Sequence, residues 1–273
     1  MNPFKVSGPA LISFSGGRSS GFMLKKILNA HRGKLPKDVY VVFANTGKEV
    51  PETLQFVYDC EQKWNVKIHW LEFKFDPNNR PKYTTVEVDF FSASRNGEPF
   101  SELIEAKKFL PNPMMRFCTQ ELKVRRMRDF MKGKGFDVWD NIIGIRHDEP
   151  RRWSRIRAKQ DPWDNVMPMV DGEITKEHIK KFWQKNDFDL NLTMQDGSTA
   201  ASNCDLCFLK GLKIRSNLIK ERPHLAKWWI DQEKKIGATF RRDQISYVEI
   251  IEHEKNQPEL FDTDQSMACF CHD

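Results

Sequence analysis

The chain has 273 residues, 39% of them hydrophobic and 30% charged, with a formal net charge of +6 and six cysteines. That length buries a full core, as one large domain or one domain with an appendage. No run of about 18 apolar residues occurs and Met1–Pro9 has no signal-peptide character, so a soluble, cytoplasmic protein without membrane contact is expected.

Ala10–Phe14 is a short apolar run with no room for a polar face, the mark of a strand buried on both sides. Ser15-Gly16-Gly17-Arg18-Ser19-Ser20-Gly21 breaks it, and Leu24, Ile27 and Leu28 then fall at helical spacing, so a helix is predicted from about Ser19 or Ser20. A strand, a glycine-rich turn and a helix N-terminus in that order make an anion site. Glycine lets backbone approach a phosphate, and the first N–H groups of the helix point at it with the dipole behind them. An ordinary glycine turn is the alternative. The loop is not of the Walker type, because no Gly-Lys-Ser/Thr follows at the required distance.

Val39–Asn45 is a second apolar strand running into Thr46-Gly47, and Pro51 suits the first position of the helix that Leu54, Val57 and Tyr58 give an inner face. Val66–Phe73 reads as a third strand. Strands and helices alternating at this rhythm predict an α/β fold with a doubly wound parallel sheet, whose ligands bind beyond the carboxyl ends of the strands. Residues 76–113 carry five prolines and read as an irregular excursion with one helix near Ser101–Lys108.

A basic helix is expected from Arg116, then a buried strand Asn141–Ile145, then a helix capped by Thr175 whose His178 faces solvent. Between Arg116 and Lys159 stand 13 Lys or Arg against 6 Asp or Glu, so the rest of the chain sums to −1. A field of that kind suits a nucleotide or a nucleic acid; a solvated helix face is the plainer reading. Near the end, Leu225, Trp228, Trp229 and Ile236 form one apolar face of a helix that Gly237 stops, which assigns the tryptophans to packing.

The cysteines, at 60, 118, 204, 207, 269 and 271, are too few for a disulfide scaffold and point to metal or thiol chemistry. Cys204-x-x-Cys207 and Cys269-x-Cys271 are two close pairs whose thiolates suit tetrahedral Zn or a [4Fe–4S] cluster. A redox pair or two packed thiols are the alternatives for the first. Cys60 reads as a core thiol.

These motifs bear a family resemblance over roughly residues 10–211. Ser15, Gly16, Gly17 and Ser20 match the SGGxDS loop of the PP-loop ATP pyrophosphatases and the phosphoadenylylsulfate (PAPS) reductases, with Ser19 where the former have Asp. Asn45-Thr46-Gly47 and Pro51-Glu52-Thr53 resemble the (D/N)TGxxxPET signature, which in that family lies beside the adenosine. Cys118-Thr119 with Lys123 is similar to the CCxxRKV segment, and closer to the CTxxLK form of DNA-phosphorothioation and phage-type members. Gly144-Ile145-Arg146 with Arg152 and Arg155 resembles GxRxxE/Q…R, whose arginines hold phosphate or sulfate; Arg146 paired with Asp148 and Glu149 on the surface is the alternative. Met167–Gly172 and the helix after it resemble a further family element.

The resemblance implies an adenine nucleotide alpha-hydrolase-like sheet of HUP type over residues 1–190, with residues 191–273 a helical, cysteine-bearing extension packed on it. It implies a nucleotide, ATP or PAPS, held by Ser13, Ser15, Gly16, Gly17, Arg18, Ser19, Ser20, Asn45, Thr46, Gly47, Glu52, Gly144, Arg146 and Arg152, with Mg as a further ligand. Cys118, Lys123 and Arg146 would be catalytic. Cys204, Cys207, Cys269 and Cys271 would hold the metal or cluster, or Cys118 would join Cys204, Cys207 and one tail cysteine, since Cys118 precedes Cys204 by 86 residues, near the family's spacing. Two enzyme readings follow. One is reduction of an adenylylated sulfate; the other is ATP cleavage at the α-phosphate with sulfur transfer to an acceptor such as a nucleic acid, fed by a sulfur-donor protein. A non-catalytic nucleotide-sensing or nucleic-acid-binding module on the same fold is the third.

Overall fold

The computed structural model describes residues 2–192 and 203–256, with backbone alone at 194–195, 198–199 and 255–256. Its first half lays down β1 (Ala10–Ser13), α1 (Arg18–Ala30), β2 (Val39–Ala44), α2 (Pro51–Lys63), β3 (Ile68–Phe75), β4 (Tyr83–Val88) and α3 (Glu98–Lys107). Then come a single helical turn, α4 (Phe117–Thr119), a π-helical turn at Gln120–Val124, and α5 (Arg125–Gly133). β5 (Asp140–Ile143), α6 (Pro150–Arg157), β6 (Asp164–Val166), α7 (Pro168–Asp171) and α8 (Lys176–Trp183) complete the sheet and its cover.

The sheet order is β4-β3-β2-β1-β5-β6. All pairings are parallel except β3 with β4. Chain direction across the sheet therefore reverses beside β1, and the loops after β1, β2 and β5 meet at one rim.

Both faces are covered, as the apolar strands require. Ile12, Val41, Phe43, Ile68 and Trp70 face one core shared with α1, α2 and α8. Leu11, Val42, Ala44 and Leu71, one residue out of phase, face a second core under Met127, Phe130 and Met131 of α5. Period two thus sends alternate side chains to two different helix layers. Each fully buried Val, Leu, Ile or Phe among them contributes about 1.5–3 kcal/mol. Cys60 is fully buried in the first core, where burial pushes its thiol well above the ordinary range.

The predicted excursion at 76–113 holds an unforeseen element. β4 is an antiparallel edge strand, with Trp70 opposite Val88 and Phe75 opposite Tyr83. Its sequence, YTTVEV, is half-exposed throughout, so it shows none of the apolar run that marks the central strands. The helix beyond it begins at Glu98 rather than Ser101, after Gly97 in the left-handed region.

After a two-stranded ribbon, β7 (Met194–Gln195) with β8 (Ser198–Thr199), the chain forms α9 (Leu212–Glu221), a 3-10 turn at Pro223–Leu225, α10 (Ala226–Ile236) and α11 (Tyr247–Asn256). Gly237 ends α10 with φ 70°. Trp229, Phe240, Tyr247 and Ile250 belong to the same core as β1 and β2, so these helices are packed onto the sheet layer without a break. Trp229 is fully buried, as a packing residue should be. Within this unit Glu233 accepts the backbone N–H groups of Phe240 and Tyr247, both at 3.1 Å, and ties α10 to α11.

Burial raises the Glu233 carboxyl above its ordinary value of 4.5, against the pull of those two N–H groups. Its ionisation therefore works against the fold. The contribution is complete below about pH 4.5 and is lost as pH rises through the raised value. Urea unfolding of wild type and Glu233→Gln over that range should show the wild type losing stability relative to the variant as pH rises. A pH-independent difference would refute the assignment.

Candidate functional site

The rim is built from loops whose backbone is set by glycine. Gly16 has φ +77°, and a Cβ there would lie 2.8 Å from Thr53 Cγ2 and 3.1 Å from Val57 Cγ2, so it lets β1 turn tightly against α2. Gly17 has ordinary φ, and a Cβ would meet only Ser15 Oγ at 3.5 Å. Gly17 is the N-cap of α1, and among the described residues no side chain caps that helix and no acid sits in its first turn. Ser20 Oγ accepts from Ser15 N–H (3.2 Å) and donates to the Gly17 carbonyl (3.0 Å), closing the loop on itself. Gly144, at the end of β5, comes close to Ser20: an added Cβ would lie 3.2 Å from Ser20 Cα.

The loop after β2 is fastened by buried carboxylates. Asn45 donates to Glu72 Oε1 at 2.6 Å and to the Ser94 carbonyl, and its own Oδ1 accepts from Gly47 N–H. Thr46 donates through both N–H and Oγ1 to Glu49, and Lys123 Nζ stands 3.8 Å from the same carboxylate. The side chain of Asn45 is thus committed to the loop itself. Glu52 pairs with Arg222 at 2.7 Å; burial alone would raise its carboxyl, but the Arg222 hydrogen bond and charge outweigh this and hold it low. Arg18 forks onto Asp189 with two bonds of 2.7 Å.

The π-turn carries the second half of the site. Such turns add a residue to a helical turn and recur at functional positions. Here Thr119 and Lys123, flanking and within it, line two small neighbouring cavities. One, of about 10 Å³, is walled by Ser13, Phe14, Ser15, Ala44 and Met127 at the phosphate loop. The other, of about 20 Å³, is walled by Thr46, Asn203 and the thiols of Cys118, Cys204 and Cys207. Cys118 and Cys204 are half-buried and Cys207 buried, and among the described residues none is in a disulfide. Thr46 Oγ1 lies 3.6 Å from Cys204 Sγ.

Arg146 and Arg152 follow β5 in the chain, where Arg146 pairs with Asp148 at 2.8 Å and Arg152 with Glu149 at 2.5 Å. Arg152 Nε is buried with no hydrogen-bond partner among the described residues, so donor capacity remains for an anion. His178 is exposed and completes a capping box with Thr175.

The structure thus gathers Ser13, Ser15, Thr119, Lys123 and the three thiols. It also adds residues that the motif reading passes over: Lys48, Glu49 and Asp205. Lys48 Nζ is 2.9 Å from Asp205 Oδ2 in a pair exposed by only 6% and 4%. Charges directly after Thr46-Gly47 and inside the Cys-x-x-Cys pair were the available signal, since a charge flanked by core residues needs a partner. Cys269 and Cys271 lie outside the described residues. Among the described residues no three of Cys, His, Asp and Glu stand close enough together to hold an ion as placed, and no helix is long and apolar enough to cross a membrane.

Residues 9–200 match the family model described as the phosphoadenosine phosphosulfate reductase domain. An uncharacterized nin region protein of Escherichia phage lambda is 31% identical over 207 residues, 73% of this chain and 66% of that protein. An uncharacterized protein of Methanocaldococcus jannaschii is 29% identical over 145 residues, 53% of this chain and 24% of its own length. The chain therefore spans less than two thirds of either relative. A U34-tRNA thiolase from Methanococcus maripaludis, solved with its [4Fe-4S] cluster, aligns over 96% of this chain and 78% of its own with a TM-score of 0.40 and 14% identity. With the family model covering well over half of its residues, the chain belongs to the phosphoadenosine phosphosulfate reductase domain family.

Proposed function

We propose that this chain is an enzyme that binds an adenine nucleotide, ATP or phosphoadenylylsulfate, at the Ser15–Ser20 rim and serves sulfur chemistry at the neighbouring thiols. The observation that carries the reading is the sharing of Thr119 and Lys123 between the two cavities. A phosphate held at the N-terminus of α1 lies next to a lysine whose other side faces three cysteines. The uncapped first turn supplies N–H groups and dipole to an anion. Arg152 Nε and Lys123 add fixed positive charge where a leaving phosphate or pyrophosphate gains negative charge.

Two reactions fit. In the reductase reading a thiolate attacks the sulfur of the sulfonucleotide, its S–O bond breaks, and the nucleotide phosphate leaves. In the transfer reading an acceptor oxygen attacks the α-phosphorus of ATP and pyrophosphate leaves, after which sulfur displaces the adenylate. The basic segment after Arg116 favours a polyanionic acceptor such as a nucleic acid for the second.

Cys118, Cys204 and Cys207 are soft donors facing one cavity, the ligand chemistry that Zn or an iron–sulfur cluster requires. These three, joined by one tail cysteine, or Cys204 and Cys207 with both Cys269 and Cys271, would hold it. Bound there, a cluster would supply electrons or a site for sulfur, and zinc would fix the thiolates. A nucleotide sensor on the same fold is the second reading, favoured by Ser19 at the loop position and by the carboxylates already paired with Arg146 and Arg152.

Protein purified without air should contain iron with a broad band near 400 nm, or about one zinc per chain, and Cys204→Ser should lose most of it. Full metal content in that variant, by elemental analysis, would refute the ligand assignment. Gly17→Val should fold, having only Ser15 Oγ nearby, and bind ATP at least about tenfold more weakly in calorimetry. Unchanged affinity would remove the nucleotide from this loop. Nucleotide binding with neither pyrophosphate release nor sulfonucleotide reduction would select the sensor.

A further inference from the structure

Two attachments join the loop after β2 to the loop bearing Cys204 and Cys207. Along the backbone, Asp205 N–H donates to the Lys48 carbonyl at 2.8 Å, and Glu49 and Cys204 form an antiparallel bridge. Between side chains, the Lys48 ammonium meets the Asp205 carboxylate at 2.9 Å and lies 5.0 Å from the centre of the Trp228 ring. The other Asp205 oxygen accepts from Trp229 Nε1 at 2.8 Å and from Leu206 N–H. A pair this deeply buried sets register more than it adds stability, because neither charge can shift without being left alone in a dry space.

Lys48 extends a loop that puts Ala44 in the wall of the phosphate-loop cavity and Thr46 in the wall of the second, and Asp205 stands in the chain between the two thiols Cys204 and Cys207 that line the second. We infer that Lys48 and Asp205 are positioning residues that couple nucleotide occupancy of the rim to the opening of the Cys204–Cys207 loop. This rests on the proposed nucleotide site. A nucleotide that steadies the loop after β2 also steadies the thiol loop, and the effect is reciprocal.

The test is the alkylation rate of Cys204 by iodoacetamide in the reduced, metal-stripped full chain, read by peptide mass spectrometry with and without saturating ATP. Cys60, sealed in the core, is the internal control for folding and should stay unlabelled. In wild type, ATP should slow Cys204 labelling at least about fivefold, the lower end of usual coupling. In Asp205→Asn, and in Lys48→Met/Asp205→Leu, which leaves no charge unpaired, the ratio should fall to about one while ATP still binds in calorimetry. A wild-type ratio of one, or a wild-type ratio retained in the double variant, overturns the coupling and leaves the nucleotide site standing. Absence of ATP binding in wild type overturns both.

Discussion

A buried carboxylate survives only when donors surround it, and Glu72, Glu49 and Asp205 are such carboxylates at the rim of this sheet. Glu72 takes Asn45 and both the N–H and hydroxyl of Ser94. Glu49 takes Thr46 twice over and has Lys123 beside it. Asp205 takes Lys48, Trp229 and its neighbour's N–H. Each set of donors includes a residue of the five-residue stretch from Asn45 to Glu49. One short loop is thus bolted to β3, to the π-turn and to the cysteine loop. Breaking such a pair from one side costs about 3–5 kcal/mol, a large part of a domain's whole stability.

The helical unit behind the cysteine loop extends the same logic. Tyr247 Oη donates to the Leu206 carbonyl at 2.5 Å, and burial holds that phenol protonated and therefore a donor. Arg241 donates to the Phe208 carbonyl. The loop that carries Cys204 and Cys207 is held through Asp205, Leu206 and Phe208 by polar contacts from α10, from α11 and from the segment between them. Thr119 and Lys123 are what the two cavities have in common.

Much of this was legible in the residues. Ala10–Ser13 and Val39–Ala44 announced buried strands by having no polar side chain facing solvent, and Pro51 and Gly237 marked helix ends by their fixed or permitted φ. β4 was not legible, because an edge strand with an open face needs no apolar run, and Tyr83–Val88 has little of one. The π-turn is invisible to periodicity, since one extra residue in one turn barely disturbs spacing over a short helix. The Lys48–Asp205 pair joins residues 157 apart in the chain, and single-chain pattern reading has no means of pairing charges at that range. Gly16 and Gly17 read alike in sequence, yet only Gly16 has positive φ and a crowded Cβ position. Which thiols belong together depends on how the carboxyl-terminal helices fold back, and composition does not encode that.

The two outer strands of the sheet have a bearing on how copies of the molecule treat one another. An exposed strand edge is a template for adding another chain. Here one border is β4, entered through Pro81-Lys82 and carrying Glu87, and the other is β6, three residues long between Pro162 and Pro168. Prolines withhold the N–H groups that a new strand would need, and charges make a flat apolar zipper costly. A sheet whose central strands are almost entirely hydrophobic is thereby kept from growing sideways at high concentration.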